Sequence, residues 1–202
     1  LHDFFPSIRS PRVRAAFREM GYSRPIAKVL AELCCLRCCL PQGAPTSPAL
    51  SNIIAYPMDK KMMALAGEYG LVYTRYADDL TFSGDYLPKD EVLVRIHRII
   101  REEGFTMNVK KTRFLSEHKR KIITGVSVSS GKKMTLPKVK KREIRKNVHY
   151  VLTKGLVGHQ EHIGSTDPVY LKRLLGSLCY WRSIEPDNRY VSDSITALKR
   201  LM

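Results

Sequence analysis

The sequence lacks the long uncharged apolar run that a membrane-spanning helix needs. Its most apolar stretch, residues 26–40, is interrupted by Lys28, Glu32 and Arg37, so no segment reaches the length of about 18 residues that suggests a span. The chain also lacks an initial methionine and a basic segment followed by an apolar core, so Leu1 predicts a truncated start rather than a signal peptide. We expect a cytoplasmic protein whose native N-terminus lies upstream.

Cysteine is scarce, and its distribution excludes a secreted disulfide scaffold. There are five cysteines, an odd number, and four of them crowd into residues 34–39. Cys35 and Cys38 have the spacing of half a zinc site, but no second pair of cysteines or histidines stands at a useful distance from them. We interpret these cysteines as core residues in a reducing compartment.

Acidic residues are also few, and this deficit predicts a polyanionic partner. The chain has 19 acidic against 35 basic residues and a formal net charge of +16. From Gly104 to Lys154 there are 15 basic residues and two acids, so most of the excess lies in a quarter of the chain. A basic stripe without balancing acids is typical of nucleic-acid binding, because release of counterions from the phosphates favours association. An anionic membrane surface is the remaining alternative.

The periodicity of apolar residues predicts a mixture of helices and antiparallel strands. Capping residues and first-turn prolines predict helices that begin near residues 10, 23, 47, 88, 137, 168 and 188. The second of these helices carries Ile26, Val29, Leu30 and Leu33 on one face. Strands are predicted over residues 71–75, 80–83, 105–108, 111–115 and 122–129.

The first two strand-like runs predict a hairpin with Asp78 and Asp79 at its tip. Adjacent carboxylates repel each other, so they persist where a cation of high charge density holds them, and Mg²⁺ is the natural choice. Two-metal phosphoryl or nucleotidyl transfer uses such carboxylates to bridge two divalent ions. A solvated pair of turn acids is the alternative that the pair alone leaves open.

Four motifs, in order, resemble those of reverse transcriptases. They are DFFPSI at residues 3–8, LPQGAPTSP at residues 40–48, YADD at residues 76–79 and GFTMNVKKT at residues 104–112. The sequence ITG at residues 123–125 is similar to the VTG motif of bacterial retron enzymes, and residues 175–184 resemble part of their thumb. The resemblance covers nearly the whole chain.

The resemblance implies an α+β fold, the right-hand architecture of polymerases. Residues 1–131 would form a palm with an antiparallel sheet and packed helices, residues 132–202 a mostly helical thumb, and the fingers would be largely missing. The metal-binding aspartate of the family's first motif would stand immediately before Leu1. Asp3 takes the place of that motif's second acid, near the incoming triphosphate. These residues alone are therefore expected to be inactive, or nearly so, as a polymerase.

The family also implies catalytic roles. Asp78 resembles the invariant metal ligand and Asp79 its less tightly bound neighbour, together serving two Mg²⁺ ions. Tyr76 resembles the residue that touches the primer end. Lys111, with Lys110 as the alternative, resembles the lysine that protonates the leaving pyrophosphate.

Substrate and nucleic-acid contacts follow from the same resemblance. Phe5 resembles the steric gate that favours deoxynucleotides, and a buried core ring is its alternative. Gln42 and Gly43 look like contacts to dNTP and template, and a plain turn is their alternative. The basic residues expected to grip the nucleic-acid backbone, or to form a solvated helix face, are Lys132, Lys133, Lys138, Lys140, Lys141, Arg142, Arg145 and Lys146.

A reverse transcriptase of this kind would use dNTPs, an RNA template and the DNA/RNA duplex that results. The retron resemblance adds synthesis of msDNA linked to phage defence, with a structured noncoding RNA and an effector protein as partners and no membrane. Group II intron and abortive-infection type reverse transcriptases are the nearest alternatives. From other classes, the alternatives are an inactive RNA-binding protein and an RNA-dependent RNA polymerase, which Phe5 disfavours.

Overall fold

A computed structural model describes residues 1–116, 119–129 and 133–201 of the chain. The chain forms two units, Leu1–Thr112 and Arg113–Met202. The palm–thumb boundary predicted at residue 131 stays a prediction, because this division reflects packing rather than function. None of the helices in the described residues combines the length and apolar character that a bilayer crossing requires.

Helices make up most of the first unit and begin where the capping and proline signals predict. They are α1 (Phe4–Ser7), α2 (Ser10–Glu19), α3 (Arg24–Cys34), α4 (Ser47–Glu68) and α5 (Lys89–Glu102). Pro11, Pro25 and Pro48 each lie in the first turn of a helix, where an amide hydrogen would have no carbonyl partner. Met58 of α4 and Ile100 of α5 are buried at the centre of this unit's core.

The apolar row of α3 faces outward. Ala27 and Ala31 are buried, whereas Ile26, Val29 and Leu33 are exposed, Leu33 by 78%. Small side chains on the buried side let α3 lie close to α2, its main neighbour. The periodicity therefore predicts the helix correctly but does not identify its buried side.

The hairpin predicted from the alternating residues is confirmed. Its strands are β1 (Val72–Tyr76) and β2 (Asp79–Ser83). They pair antiparallel, with Tyr76 opposite Asp79 at the end nearest the turn. Tyr73 and Phe82 lie on the face that packs against the core, and the opposite face is open.

The strands predicted at residues 105–108 and 111–115, all of them described, are wrong. The chain makes a short 3₁₀ turn at Val109–Lys111 instead. There the side chain of Asn108 accepts a hydrogen bond from the Lys111 amide at 3.2 Å. Such a local bond uses an amide that a strand would offer to a neighbouring strand.

The predicted extended run at residues 122–129 becomes two strands of two residues each. β3 (Ile122–Ile123) and β4 (Val126–Ser127) pair antiparallel. The α+β class is therefore confirmed at a coarse level: helices with two small antiparallel sheets among the described residues.

In the second unit, the described residues contain three helices packed around Trp181. They are α6 (Lys138–His162), α7 (Tyr170–Ile184) and α8 (Arg189–Lys199). Trp181 is fully buried, together with Leu178 of α7 and Leu198 of α8. Gly155 interrupts α6 with φ 75° and ψ 165°, a conformation essentially restricted to glycine, so α6 consists of two helical pieces.

Glu185, at the end of α7, joins three parts of this unit. Its carboxylate accepts hydrogen bonds from the Leu136 amide at 2.9 Å and the Asn188 side chain at 2.9 Å, and it pairs with Lys141 at 2.6 Å. Burial alone would raise the pKa of Glu185, but these donors together lower its pKa to about 2 from an ordinary 4.5.

Glu185→Gln is expected to destabilise the protein by about 1–3 kcal/mol at pH 7, because a charged acceptor for several donors is lost. A carboxyl group with a lowered folded pKa stabilises the fold above its unfolded pKa, and that contribution disappears as the pH falls through the folded value. The difference between wild type and variant should therefore shrink as the pH falls from 4.5 towards 2. Urea unfolding at several pH values measures it. The exposed Glu161→Gln should show no such difference, and a constant difference for Glu185→Gln would contradict the assignment.

Candidate active site

The turn between β1 and β2 carries the two carboxylates. Ala77 and Asp78 form a two-residue loop in which Ala77 has a φ of 50°. A positive φ at the first position of a two-residue loop is typical of the turns that suit the twist of a hairpin. Asp78 is half-buried in the loop, while Asp79 is exposed opposite Tyr76. Residues directly opposite each other share a face, so Asp79 and Tyr76 lie on the open side of the hairpin.

An arginine on the other face ties the hairpin to α4. The side chain of Arg75 is 7% exposed and pairs with both carboxylate oxygens of Asp59, with Nε–Oδ1 at 2.8 Å and Nη2–Oδ2 at 2.6 Å. The Tyr73 hydroxyl donates to Asp59 Oδ1 at 2.7 Å. Hydrogen bonds to Asp59 raise the pKa of Arg75. Burial raises the pKa of the Tyr73 hydroxyl, and its hydrogen bond to Asp59 raises that pKa further.

Sequence reasoning missed this cluster. The one signal for it is an aspartate in the middle of a largely apolar helix, at Asp59. Its partner Arg75 stands 16 positions further along the chain, and only the folded structure brings the two together.

The start of the chain lies beside the turn. The Leu1 ammonium donates a hydrogen bond to the backbone oxygen of Asp78 at 2.5 Å. Burial lowers the pKa of this ammonium. The carboxylates of Asp78 and Asp79 raise that pKa, and the positive charge of Lys111 lowers it. The start of the chain therefore lies against the turn that carries Asp78.

Lys110 and Lys111 are exposed on the 3₁₀ turn. The segment before them is held to the chain start by the His2 amide, which donates to the Thr106 oxygen at 2.8 Å. Lys110 and Lys111 therefore both stand on a segment that is anchored to the start of the chain.

The two aromatic rings of α1 differ in environment. Phe4 is buried in the core, whereas Phe5 is only half-buried, with the ring centroids 5.4 Å apart. Phe4 is thus the core ring, and part of Phe5 stays open to a ligand. Asp3 precedes them, exposed, with a φ of 43° and its carboxylate 3.1 Å from His2 Nδ1.

Gln42 and Gly43 are exposed in the loop before α4. Gly43 has a φ of 84°, which glycine adopts without strain. The buried hydroxyl of Ser47 donates to the Pro41 oxygen at 2.7 Å and closes the loop across its base. Ser47 is a second residue whose supporting role sequence reasoning missed, although it lies within a recognised motif.

Metal ligands are few at this site. In the described parts of the chain, no group of three or more histidine, cysteine, aspartate or glutamate side chains could hold a metal ion. Asp78 and Asp79 offer two carboxylates. Mg²⁺ in nucleotide-processing sites commonly takes one or two carboxylates and completes its octahedron with water and substrate phosphates. Two carboxylates could contribute to a divalent-metal site that water and substrate complete.

The residues of α6 that were predicted to grip the nucleic-acid backbone fall into two groups. Lys138, Lys140, Arg142 and Lys146 point to solvent from α6, and Lys140 also pairs with Glu143.

The other group contributes to packing. Lys141 pairs with Glu185 and lies over the Trp181 ring at 5.6 Å. Arg145 lies between Trp181 and Tyr190, 5.4 and 5.1 Å from their ring centroids. Lys133 is exposed, and Lys132 lies outside the described residues.

Comparison with known proteins adds an independent line of evidence. The family model described as "Reverse transcriptase (RNA-dependent DNA polymerase)" matches residues 3–151. Retron Ec86 reverse transcriptase of Escherichia coli is 39% identical over 165 residues, which cover 81% of this chain and 51% of that protein. Retron Mx65 reverse transcriptase of Myxococcus xanthus is 35% identical over 207 residues, covering 93% and 45%. The chain spans about half the length of these curated relatives.

Proposed function

This chain belongs to the reverse transcriptase family, and from that premise we propose that it forms the catalytic centre of an RNA-directed DNA polymerase. The resemblance to retron reverse transcriptases predicted from the motifs is confirmed by the comparisons. The hairpin turn that presents Asp78 and Asp79, with the start of the chain held against it by the hydrogen bond from Leu1 to Asp78, carries the proposal. The reaction would add deoxynucleotides to a primer on an RNA template and release pyrophosphate.

Asp78 and Asp79 would hold two Mg²⁺ ions, which supply Lewis acidity towards the attacking and leaving oxygens when bound. Asp78, half-buried in the turn, would be the constant ligand, and Asp79 on the open face the looser one. The Leu1 nitrogen lies 2.5 Å from the Asp78 backbone oxygen. This contact holds the start of the chain, next to the first of the four motifs, beside the turn that carries Asp78.

Lys111 would act on the leaving group. Its ammonium lies on an exposed turn, where it would donate a proton to the departing pyrophosphate or stabilise its charge. Lys110, on the same turn, would bind phosphate without taking part in the chemistry.

The open face of the hairpin would receive the substrates. Tyr76 would contact the primer end, and Gln42 with Gly43 would contact dNTP and template from a loop that Ser47 holds closed. The exposed part of the Phe5 ring would exclude a 2′-hydroxyl.

Asp3 would lie near the incoming triphosphate, as its place in the first motif implies. In the second unit, Lys138, Lys140, Arg142 and Lys146 would bind the nucleic-acid backbone without reading its sequence, because they present charge to solvent along one helix.

The biological setting proposed for the whole protein is retron msDNA synthesis linked to phage defence, in a bacterial cytoplasm. A structured noncoding RNA would be the template and an effector protein a partner. The support is that the relatives named above are retron reverse transcriptases. An inactive RNA-binding protein is the second candidate, favoured if the whole protein binds RNA but extends no primer.

In the full-length protein, Asp78→Asn should reduce primer extension on an RNA template by about a thousandfold, because a metal ligand worth several kcal/mol in the transition state is lost. Asp85→Asn, which changes an exposed acid just beyond β2, should leave the rate unchanged. Extension that persists in Asp78→Asn would refute the polymerase assignment. Wild-type protein that binds RNA but extends no primer would favour the inactive alternative.

Phe5→Ala should let the enzyme incorporate ribonucleotides, lowering the ratio of kcat/KM for dNTP over NTP by about tenfold or more, because a steric clash is removed. Phe17→Ala is the matched control, since Phe17 is also half-buried against the same core. It should cost stability without changing the ratio. An unchanged ratio in Phe5→Ala would assign Phe5 to the core alone.

Replacing Lys138, Arg142 and Lys146 by glutamine should weaken binding of a DNA/RNA duplex uniformly across sequences. It should also lower the slope of log affinity against log salt by roughly 0.7–0.9 for each phosphate that the helix no longer neutralises. Glutamine at Lys28 and Lys60, two exposed lysines of the first unit, provides the comparison. If both sets of substitutions weaken duplex binding equally, α6 contributes no more to binding than other exposed lysines do.

A further inference from the structure

The hairpin is attached to α4 by one arginine that uses three of its nitrogen atoms. Nε and Nη2 of Arg75 bind the two oxygens of Asp59. Nη1 donates to Asn52 Oδ1 at 3.0 Å and to the Ala77 backbone oxygen at 3.2 Å. Asn52 and Asp59 are seven residues apart on α4, which puts them two turns apart on one face of the helix. A rigid helix thus reaches the first residue of the catalytic turn through a single side chain.

The contact to Ala77 falls where the backbone needs support. Ala77 is held at a φ of 50°, which costs a non-glycine residue about 1–2 kcal/mol. Its carbonyl belongs to the peptide plane that joins Ala77 to Asp78. A donor fixed on that oxygen sets the orientation of the plane, and with it the direction in which the Asp78 backbone continues.

Planar geometry makes this role specific to arginine. The guanidinium presents donors in a rigid fork, so the two bonds to Asp59 fix the direction of the third nitrogen. A lysine ammonium could pair with Asp59 but could not hold all three directions at once. Tyr73, which donates to the same carboxylate at 2.7 Å, restricts Asp59 in turn.

We propose that Arg75 is a positioning residue for the metal site: held by Asp59, it fixes the turn so that Asp78 presents its carboxylate to Mg²⁺. The inference rests on the proposed function, in which Asp78 is a metal ligand. Arg75 would touch neither substrate nor metal and would act through the Ala77–Asp78 peptide. A purely structural ion pair, which only adds stability, is the competing explanation.

The test compares Arg75→Gln, Arg75→Lys and Asp59→Asn in the full-length protein. Arg75→Gln should lower kcat for primer extension by about 10- to 100-fold and raise the Mg²⁺ concentration for half-maximal rate by a similar factor, as loss of a residue that orients a metal ligand does. The KM for dNTP should change little. Arg75→Lys should recover only a small part of the loss, and Asp59→Asn should resemble Arg75→Gln.

Arg95→Gln is the matched control. Arg95 of α5 also pairs with both oxygens of a carboxylate on α4, that of Glu68, but the pair is exposed and makes no contact with the turn. Its loss should leave kcat and the Mg²⁺ requirement unchanged. If Arg75→Gln only lowers the melting temperature and the fraction of active enzyme, with kcat per active site and Mg²⁺ requirement as in the wild type, the proposal is overturned.

Two measurements that need no turnover separate this proposal from the polymerase assignment. Hydrogen exchange at the amides of Asp78 and Asp79 should be about tenfold faster or more in Arg75→Gln than in Arg95→Gln. Mn²⁺ binding, followed by the paramagnetic signal of the free ion, should weaken in Arg75→Gln alone. If the wild type copies no RNA, the polymerase assignment fails, and these two results still decide the role of Arg75: unchanged exchange and Mn²⁺ affinity reject it.

Discussion

Repulsion between the adjacent carboxylates of Asp78, in the two-residue turn, and Asp79, at the start of β2, is the constraint that the hairpin of the first unit must meet. The turn that carries Asp78 also needs support of its own. That support comes from the other side of the hairpin. The alternation of a β-strand sends Arg75 towards α4 and Tyr76 towards the open face, so one short strand separates the supporting residues from those that would meet a substrate.

The parts of this arrangement that could be predicted from the sequence are those set by neighbouring residues. The hairpin follows from strand alternation on either side of a short polar turn, and the starts of α2, α3 and α4 follow from their first-turn prolines. The candidate site can also be predicted, because its residues stand in motifs that resemble those of a family. The structure adds the contact of the chain start with the hairpin turn, and the roles of these residues stay proposals.

What could not be predicted depends on contacts between distant residues. The pairing of Arg75 with Asp59 needs α4 to lie under β1, which no local pattern indicates. The outward face of α3 results from close packing of its alanines on α2, a preference for small side chains that a count of apolar residues cannot detect. The missing strand near Lys111 results from an asparagine side chain that captures the amide the strand would have used.

Composition also does not indicate which basic residues of the second unit present their charge to solvent. Lys141 and Arg145 belong to the same basic run as Lys138 and Arg142, yet the first two lie against Trp181. A lysine beside an aromatic ring and a carboxylate contributes to packing, whereas the same residue one turn away presents its charge to solvent. Only some of the basic residues behind the formal net charge of +16 therefore present their charge to solvent.

The break at Gly155 sets the length of the straight helical piece that carries the exposed cations of α6. The helix before it runs from residue 138 to residue 154. At a rise of 1.5 Å per residue this straight piece measures about 25 Å. With a base-pair step of 3.4 Å, a rod of that length runs beside about seven base pairs. If the cations of α6 lie along a duplex as proposed, the footprint of this helix is limited to roughly two-thirds of a helical turn.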